Sequence, residues 1–187
     1  FDLNATGSTT EVGWVSAQDG FLTLDRNHDG RINDGSELFG SATRLSNGGT
    51  AQDGMEALRD LDSNRDGVIN AADTQFAELS VWVDSNQDGD SQATELHSLS
   101  DLAITEISLD ARQTAVEDQG NWIGLESSFT TADGASHAMA DVWLQINKGY
   151  DLKLDLTSGD PMRVALEGLG NIDLSGNGGH GDKIGRA

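Results

Sequence analysis

The sequence predicts an α+β fold in which acidic loops on short helices pack against an antiparallel β-sheet. Three twelve-residue stretches rich in Asp and Asn begin at Asp25, Asp62 and Asp84. Apolar residues at helical spacing lie beside these stretches, whereas from Ile104 onward the two-residue period of strands prevails. This change of period marks the predicted transition from helices to sheet.

Three segments near the acidic stretches are predicted to be short helices. Segment 52–61 carries apolar residues three apart and leads into the second stretch. Segment 71–83 leaves the second stretch and enters the third, with Asp73 in its first turn, where the helix dipole favours an acid. Segment 95–102 is the third predicted helix.

The later part of the chain is predicted to form the sheet. Segments 104–109, 122–130 and 138–146 have the composition and alternation of strands. Residues 132–135, Ala-Asp-Gly-Ala, have the composition of a hairpin turn between the last two strands.

A change of composition near Asn147 divides the 187 residues in two. Residues 1–147 are expected to form the module that carries the acidic loops. Residues 148–187, which end in a Gly-rich tail, are expected to be a linker or the start of a following β-rich region.

The charge of the chain excludes some partners and favours others. Thirty-two acids and eleven bases give a formal net charge of −21, which argues against binding to nucleic acid or to an anionic membrane. No apolar run approaches the roughly 20 residues of a membrane-spanning helix, so membrane insertion is not expected. There are no cysteines. Divalent cations are the natural counterions for acids clustered in this way.

The acidic stretches have the ligand spacing of EF-hand calcium loops. Such a loop supplies oxygens from positions 1, 3, 5, 7 (a backbone carbonyl), 9 and 12, with Gly at position 6. We therefore predict about three bound Ca²⁺ ions. The predicted ligands are Asp25, Asn27, Asp29, Arg31, Asn33 and Glu37 in the first loop, Asp62, Asn64, Asp66, Val68 and Asp73 in the second, and Asp84, Asn86, Asp88, Asp90 and Glu95 in the third.

The loops differ at the closing acid. Glu95 at position 12 of the third loop can bind bidentately, whereas Asp73 in the second loop is a shorter acid that reaches less far. In the first loop Ser36 stands at position 12, and a bulge at Gly35 is hypothesised to bring Glu37 to the ion. Ser91 replaces the β-branched apolar residue that usually pairs two loops.

Two further features are candidates for chemistry. Residues 2–7 repeat part of the loop pattern but lack the third acid. The single proline follows an aspartate, and the Asp160 carboxyl could attack its own peptide carbonyl with the Pro161 nitrogen as leaving group. Asp160 and Pro161 are therefore the catalytic candidates, although Asp is so abundant that the pair also arises by chance.

A set of short stretches matches a known bacterial module. The most specific is Glu37-Leu38-Phe39-Gly40, and the others are residues 13–15, 19–22, 24–27, 30–36, 61–64, 68–73 and 81–96. On these stretches, residues 1–146 resemble a calcium module of large secreted RTX-type bacterial proteins and are similar to the self-processing module of FrpC-type RTX proteins.

The resemblance implies type I secretion, calcium-triggered folding and, in some members, autocatalytic cleavage at Asp-Pro followed by Asp-Lys isopeptide cross-linking. In that family the cleaved Asp-Pro lies upstream of the module, whereas here Pro161 lies downstream. The resemblance also implies that residues 148–187 could begin an RTX region.

Three functions are compatible with these features. The leading prediction is a calcium-folded module of a secreted RTX-type toxin or adhesin, located outside the cell or on the bacterial surface. The alternatives are a self-processing module that cleaves at Asp-Pro, and a calcium-dependent adhesion module. The expected partners are calcium, neighbouring domains of the same chain and a cell-surface ligand.

Overall fold

A computed structural model of the chain describes residues 1–10, 12–118 and 121–144. Residues 1–10 and 14–144 form one compact unit. In chain order, its elements are β1 (Phe21–Leu24), α1 (Gly54–Arg59), β2 (Val68–Asn70), a 3₁₀ turn (Phe76–Glu78), β3 (Leu79–Trp82), β4 (Leu96–Ser98), β5 (Ile104–Ser108), β6 (Arg112–Asp118), β7 (Asn121–Thr131) and β8 (Ser136–Trp143).

The described part of the chain is an all-β fold of two antiparallel sheets, so the predicted α+β class is wrong. The predicted helix over 52–61 is reduced to the six residues of α1, the single α-helix in the described ranges. Its N-terminus is capped by Asp53, whose side chain accepts a hydrogen bond of 2.7 Å from the N–H of Glu56.

The other two predicted helices are also wrong, because their chain segments contribute strands. Segment 71–83 holds one 3₁₀ turn and then β3, and segment 95–102 contains β4. In the smaller sheet, of order β1-β3-β4, Trp82 pairs with Phe21 on one side and with Leu96 on the other. Pairing on both edges stabilises the extended backbone of β3 and outweighs the helical spacing of its apolar residues.

The predicted sheet in the second half of the chain is confirmed. The larger sheet has the order β2-β5-β7-β6, and β8 pairs with β7 along the other edge. Strands β5, β7 and β8 correspond to the predicted segments, and β6 was not predicted. The hairpin turn between β7 and β8 is closed by a 2.8 Å hydrogen bond from the N–H of Gly134 to the carbonyl of Thr131.

Apolar side chains are buried in two separate clusters. The larger cluster packs against α1 and both sheets, and it includes Met55, Leu58, Ile69 and Leu79. The smaller cluster has three buried members, Ile32, Leu38 and Trp82, against which partly buried aromatic rings pack. The acidic segments that begin at Asp25 and Asp84 lie beside this smaller cluster, whereas the segment that begins at Asp62 contributes Ile69 to the larger one.

No helix of the described ranges has the length and apolar character needed to cross a membrane. The predicted domain boundary near residue 147 and the segment 148–187 lie outside the described residues. Their assignment remains a prediction.

Candidate metal centre

The three acidic segments share one backbone conformation. We name them loop 25 (residues 25–37), loop 62 (residues 62–73) and loop 84 (residues 84–95). Position 4 has a positive φ in every loop, 58° at His28, 61° at Arg65 and 57° at Gln87. The glycine at position 6 also has a positive φ, between 74° and 87°, which is the region that glycine tolerates best.

The first aspartate of each loop accepts the same two backbone hydrogen bonds. In loop 84 the N–H of Asp88 donates to Asp84 Oδ1 at 3.2 Å and the N–H of Gly89 donates to Asp84 Oδ2 at 2.9 Å. Asp25 and Asp62 accept the equivalent pair. The Asn at position 3 accepts from the N–H at position 5, and the Asp at position 5 from the N–H at position 7. These bonds fold the chain around a common centre.

The closing acid of each loop accepts hydrogen bonds from positions 2 and 9. Glu95 accepts the N–H of Ser85 at 3.1 Å and of Gln92 at 3.3 Å. Asp73 accepts the corresponding N–H groups of loop 62 at 2.8 and 3.0 Å. In loop 25 the acceptor is Glu37 at position 13, at 3.1 and 2.8 Å. Glu37 thus has the donors that the position-12 acid has in the other two loops.

The extra residue of loop 25 is accommodated against the N-terminal segment. The N–H of Gly35 donates to the carbonyl of Asp2 at 2.9 Å, and Asp2 and Asp34 form an isolated parallel bridge. A Cβ atom at Gly35 would lie 1.8 Å from the carbonyl oxygen of Leu3. Only glycine therefore fits at this close approach of two backbone segments.

Loops 25 and 84 connect extended segments, whereas EF-hand loops connect helices. Loop 84 joins β3 to β4, and the N–H of Val83 donates to the carbonyl of Glu95 at 2.9 Å across its mouth. Loop 25 follows β1 in the same way, with a 2.9 Å bond from the N–H of Leu24 to the carbonyl of Glu37. Only loop 62 is preceded by a helix, α1, so the prediction of loops carried on helices is wrong for loops 25 and 84.

Four carboxylates of the loops are buried and form no ion pair in the described ranges, although the charge of Arg26 is near enough to Glu37 to interact with it. Their exposed fractions are 3% for Glu37, 5% for Asp73, 1% for Asp84 and 4% for Glu95. The one ion pair in the described ranges, between Arg112 and Glu126, lies elsewhere. Burying a carboxylate is costly unless hydrogen bonds and an opposite charge compensate it. The hydrogen bonds are present, and a bound cation would supply the charge.

Hydrogen bonds keep several loop acids ionised. Burial raises the pKa of Asp73 and of Glu95, but donors at positions 9 and 2 outweigh burial and hold both pKa values below the ordinary range. The backbone N–H of Asp90 lowers the pKa of Asp88 in the same way, against a smaller effect of burial. Ionised carboxylates are the form that binds a metal.

The donor atoms of the loops match a hard cation. All predicted ligands offer oxygen, from Asp, Glu and Asn side chains and from the backbone carbonyls at Arg31, Val68 and Asp90. In the described ranges no three Asp, Glu or His side chains converge closely enough to hold an ion by themselves. An EF-hand-type site also needs its Asn and carbonyl oxygens, so the acids alone do not complete it.

Loops 25 and 84 contact each other at their eighth positions. The Ser91 hydroxyl accepts a 2.7 Å hydrogen bond from the N–H of Ile32 and donates one of 3.2 Å to the carbonyl of Ile32. Loop 62 has a different neighbour, because its eighth residue, Ile69, lies in β2 and pairs with Ile107 of β5. Sequence reasoning treated Ser91 as a mismatch, and no local signal connects it with a residue 59 positions earlier.

Two indole rings lie beside the acids of loop 84. The Trp14 N–H donates to Asp84 Oδ2 at 2.7 Å. Trp82 is fully buried, and its indole N–H has no acceptor in hydrogen-bonding geometry. The indole N–H is nevertheless near enough to Glu95 to help lower the pKa of that carboxyl. No motif in the sequence assigns either ring to the site. An aromatic residue 70 positions from a ligand gives no periodic signal.

The N-terminal segment repeats the first half of a loop. Asp2 accepts the N–H groups of Thr6 at 3.1 Å and Gly7 at 2.6 Å, and Ala5 and Gly7 have positive φ angles of 52° and 83°. These residues match positions 1, 4, 5 and 6 of the other loops, without a closing acid. The catalytic candidates Asp160 and Pro161 lie outside the described residues.

Comparison with known proteins identifies the family of the chain. Residues 1–145 match the model of the SPM domain family. The chain is also similar to Iron-regulated protein FrpA of Neisseria meningitidis serogroup C, with 40% identity over 176 residues, covering 92% of this chain and 16% of the relative. The chain thus spans about one sixth of the length of this relative, and the match supports the resemblance to RTX-associated modules. The chain belongs to the SPM domain family.

Proposed function

We propose that this chain is a calcium-binding module, folded by calcium, within a large secreted RTX-type protein. The observation that carries the proposal is the set of four buried loop carboxylates, which accept hydrogen bonds but form no ion pair in the described ranges. The three loops share one conformation and one donor pattern. In that pattern Glu37, Asp73 and Glu95 are closing acids, and Asp84 is a first acid.

Charge neutralisation favours the ion-bound state. Three Ca²⁺ ions add six positive charges and change the formal net charge from −21 to −15. The mutual repulsion of the acids, which destabilises a compact state, falls accordingly. Calcium fits flexible loops with six to eight oxygens better than Mg²⁺, which requires near-ideal octahedral geometry.

The smaller sheet depends on the loops for its assembly. Loop 84 connects β3 to β4, and loop 25 continues from β1. The cluster beside loops 25 and 84 has three buried apolar residues, and Leu24 of β1 and Leu79 of β3 are buried in the larger cluster. Ion binding closes the loops and brings these strands together. Part of the free energy of ion binding therefore contributes to folding.

The family context supports a role outside the cell. Calcium affinities of roughly 10⁻⁴–10⁻³ M are typical of extracellular modules, and such a module would fold where calcium is abundant. On this proposal the chain is secreted before calcium folds it. Its partners are neighbouring domains of the same protein or a ligand on a cell surface.

A calcium titration of the EDTA-stripped protein tests the proposal. Circular dichroism and Trp fluorescence report folding, and calorimetry reports the number of bound ions. We expect folding on saturation of about three sites. Replacing the exposed position-5 acid, as in Asp29→Ala, Asp66→Ala or Asp88→Ala, should remove one ion each, whereas Asp110→Ala, an exposed acid outside the loops, should remove none. A chain that neither binds calcium nor changes its spectra would refute the proposal.

The same titration separates the self-processing alternative, which is favoured by the resemblance to a self-processing module. Mass spectrometry at the end point should show an unchanged mass if the chain is a structural module. New masses that correspond to a cut between Asp160 and Pro161 would show instead that the chain processes itself. A longer chain with its natural upstream sequence tests cleavage at an earlier Asp-Pro.

A further inference from the structure

A single buried hydroxyl connects two of the three loops. Ser91 and Ile32 are each 3% exposed, and each is the eighth residue of its loop. The Ser91 Oγ accepts from the Ile32 N–H at 2.7 Å and donates to the Ile32 carbonyl at 3.2 Å. It therefore satisfies both backbone groups of Ile32, which would otherwise be buried without these partners.

The contact lies directly beside the proposed calcium ligands of loop 25. The carbonyl at position 7, Arg31, and the N–H of Ile32 belong to one planar peptide unit. A cation on that carbonyl polarises the peptide and strengthens the hydrogen bond that its N–H donates to Ser91. On the other side, the N–H of Asn33 donates to the closing acid Glu37 at 2.8 Å.

Ser91 is held in the same way within loop 84. Its own N–H shares a peptide unit with the position-7 carbonyl of Asp90, and the next residue, Gln92, donates its N–H to the closing acid Glu95 at 3.3 Å. An ion in loop 84 would therefore fix the backbone that carries the Ser91 hydroxyl. That hydroxyl in turn positions the peptide unit that loop 25 offers to its ion.

We propose that Ser91 couples loop 25 to loop 84, so that these two loops bind calcium cooperatively while loop 62 binds independently. This inference rests on the proposed calcium binding. Loop 62 lacks such a connection, because its eighth residue pairs with a strand of the larger sheet. Ser91 acts here as a positioning residue and not as a ligand.

A double-mutant cycle on the full chain tests the coupling. Asp88→Ala removes an exposed acid from loop 84, and the calcium affinity of loop 25 is measured by calorimetry with and without Ser91→Ala. With Ser91 present, we expect emptying loop 84 to weaken loop 25 about tenfold, a magnitude typical of coupled sites. With Ser91→Ala, the same emptying should leave loop 25 unchanged.

Amide hydrogen exchange gives a second readout that does not depend on affinity. In Asp29→Ala, where loop 25 cannot fill, calcium bound to loop 84 should slow exchange of the Ile32 amide. Ser91→Ala should abolish that protection. Ser91→Thr keeps the hydroxyl and should retain the protection. Ser136→Ala, at an exposed serine of β8, is the matched control.

The outcomes separate the two proposals. If about three ions bind but emptying loop 84 weakens loop 25 equally with and without Ser91, the coupling role is wrong and the calcium module stands. If no calcium binds, both proposals fail. Should Ser91→Ala not fold, the exchange of the Ile32 amide in Asp29→Ala still decides, since calcium in loop 84 that leaves this amide unprotected would refute the coupling.

Discussion

Replacing Gly35 by Ala would drive a methyl group into the backbone of Leu3. The added Cβ would lie 1.8 Å from the carbonyl oxygen of Leu3 and 2.6 Å from its carbonyl carbon. No side-chain rotation relieves a clash with backbone, so the N-terminal segment must move and the 2.9 Å bond from the Gly35 N–H to Asp2 is lost. Overpacking costs about 1–3 kcal/mol and the hydrogen bond about 0.5–1.5 kcal/mol. We expect Gly35→Ala to lower the free energy of unfolding by about 1.5–4.5 kcal/mol.

Urea unfolding in saturating calcium, followed by Trp fluorescence, measures this loss. Gly40→Ala is the matched control, because a Cβ at Gly40 would meet no atom within 4 Å. Its free energy of unfolding should stay within about 1 kcal/mol of the parent value. If Gly35→Ala were as stable as Gly40→Ala, the N-terminal segment would not be packed against loop 25. The account of how loop 25 accommodates its extra residue would then be wrong.

The indole N–H of Trp14 donates a hydrogen bond to the buried Asp84, so Trp14→Phe should lower the free energy of unfolding by about 1.5–3 kcal/mol, measured by urea unfolding with calcium. An unchanged free energy of unfolding would show that Trp14 does not belong to the site. The pKa of Glu95 lies below its ordinary 4.5, so its ionised form contributes stability above that pH and loses it as the pH falls. The difference in unfolding free energy between the parent and Glu95→Gln should therefore be largest at pH 7 and shrink in acid. Burial and, to a smaller extent, the charge of Asp53 raise the pKa of Asp141. A hydrogen bond from a backbone N–H of α1 opposes this rise but does not cancel it. Ionisation of Asp141 therefore lowers stability, the opposite of its effect at Glu95. Asp141→Asn should raise Tm at pH 7, and the gain should vanish at low pH, where Asp141 is protonated.

The loops could be predicted from the sequence because their determinants are local. Alternating Asp and Asn around a central glycine specify both the turn and the inward-facing oxygens within twelve residues. The bulge hypothesis was equally local, since Gly35 and Glu37 lie two residues apart, and the structure gives Glu37 the donors of a closing acid. Whether these loops bind calcium remains a prediction.

The fold class could not be predicted because its determinants are distant in the chain. Phe76, Leu79 and Val83 have helical spacing, but β3 is stabilised by β1, about 55 residues earlier, and by β4 beyond loop 84. Asp73 illustrates the same conflict. At the start of a helix it would interact with the dipole, but its carboxylate instead accepts N–H groups from Ser63 and Asn70 and closes loop 62. One acid cannot do both, and loop closure prevails.

The arrangement of strands indicates an order in which the smaller sheet could assemble. Loop 84 connects β3 to β4 across twelve residues, so closing it costs little chain entropy. Pairing of β1 with β3 closes a much longer segment and carries a larger entropic cost, so β1 is expected to join after loop 84 has closed. The contact between Ile32 and Ser91 lies where loops 25 and 84 meet, beside both strands that must find each other. A first ion in loop 84 would therefore present β3 and the Ser91 hydroxyl together, and β1 with loop 25 would dock onto a surface that is already formed.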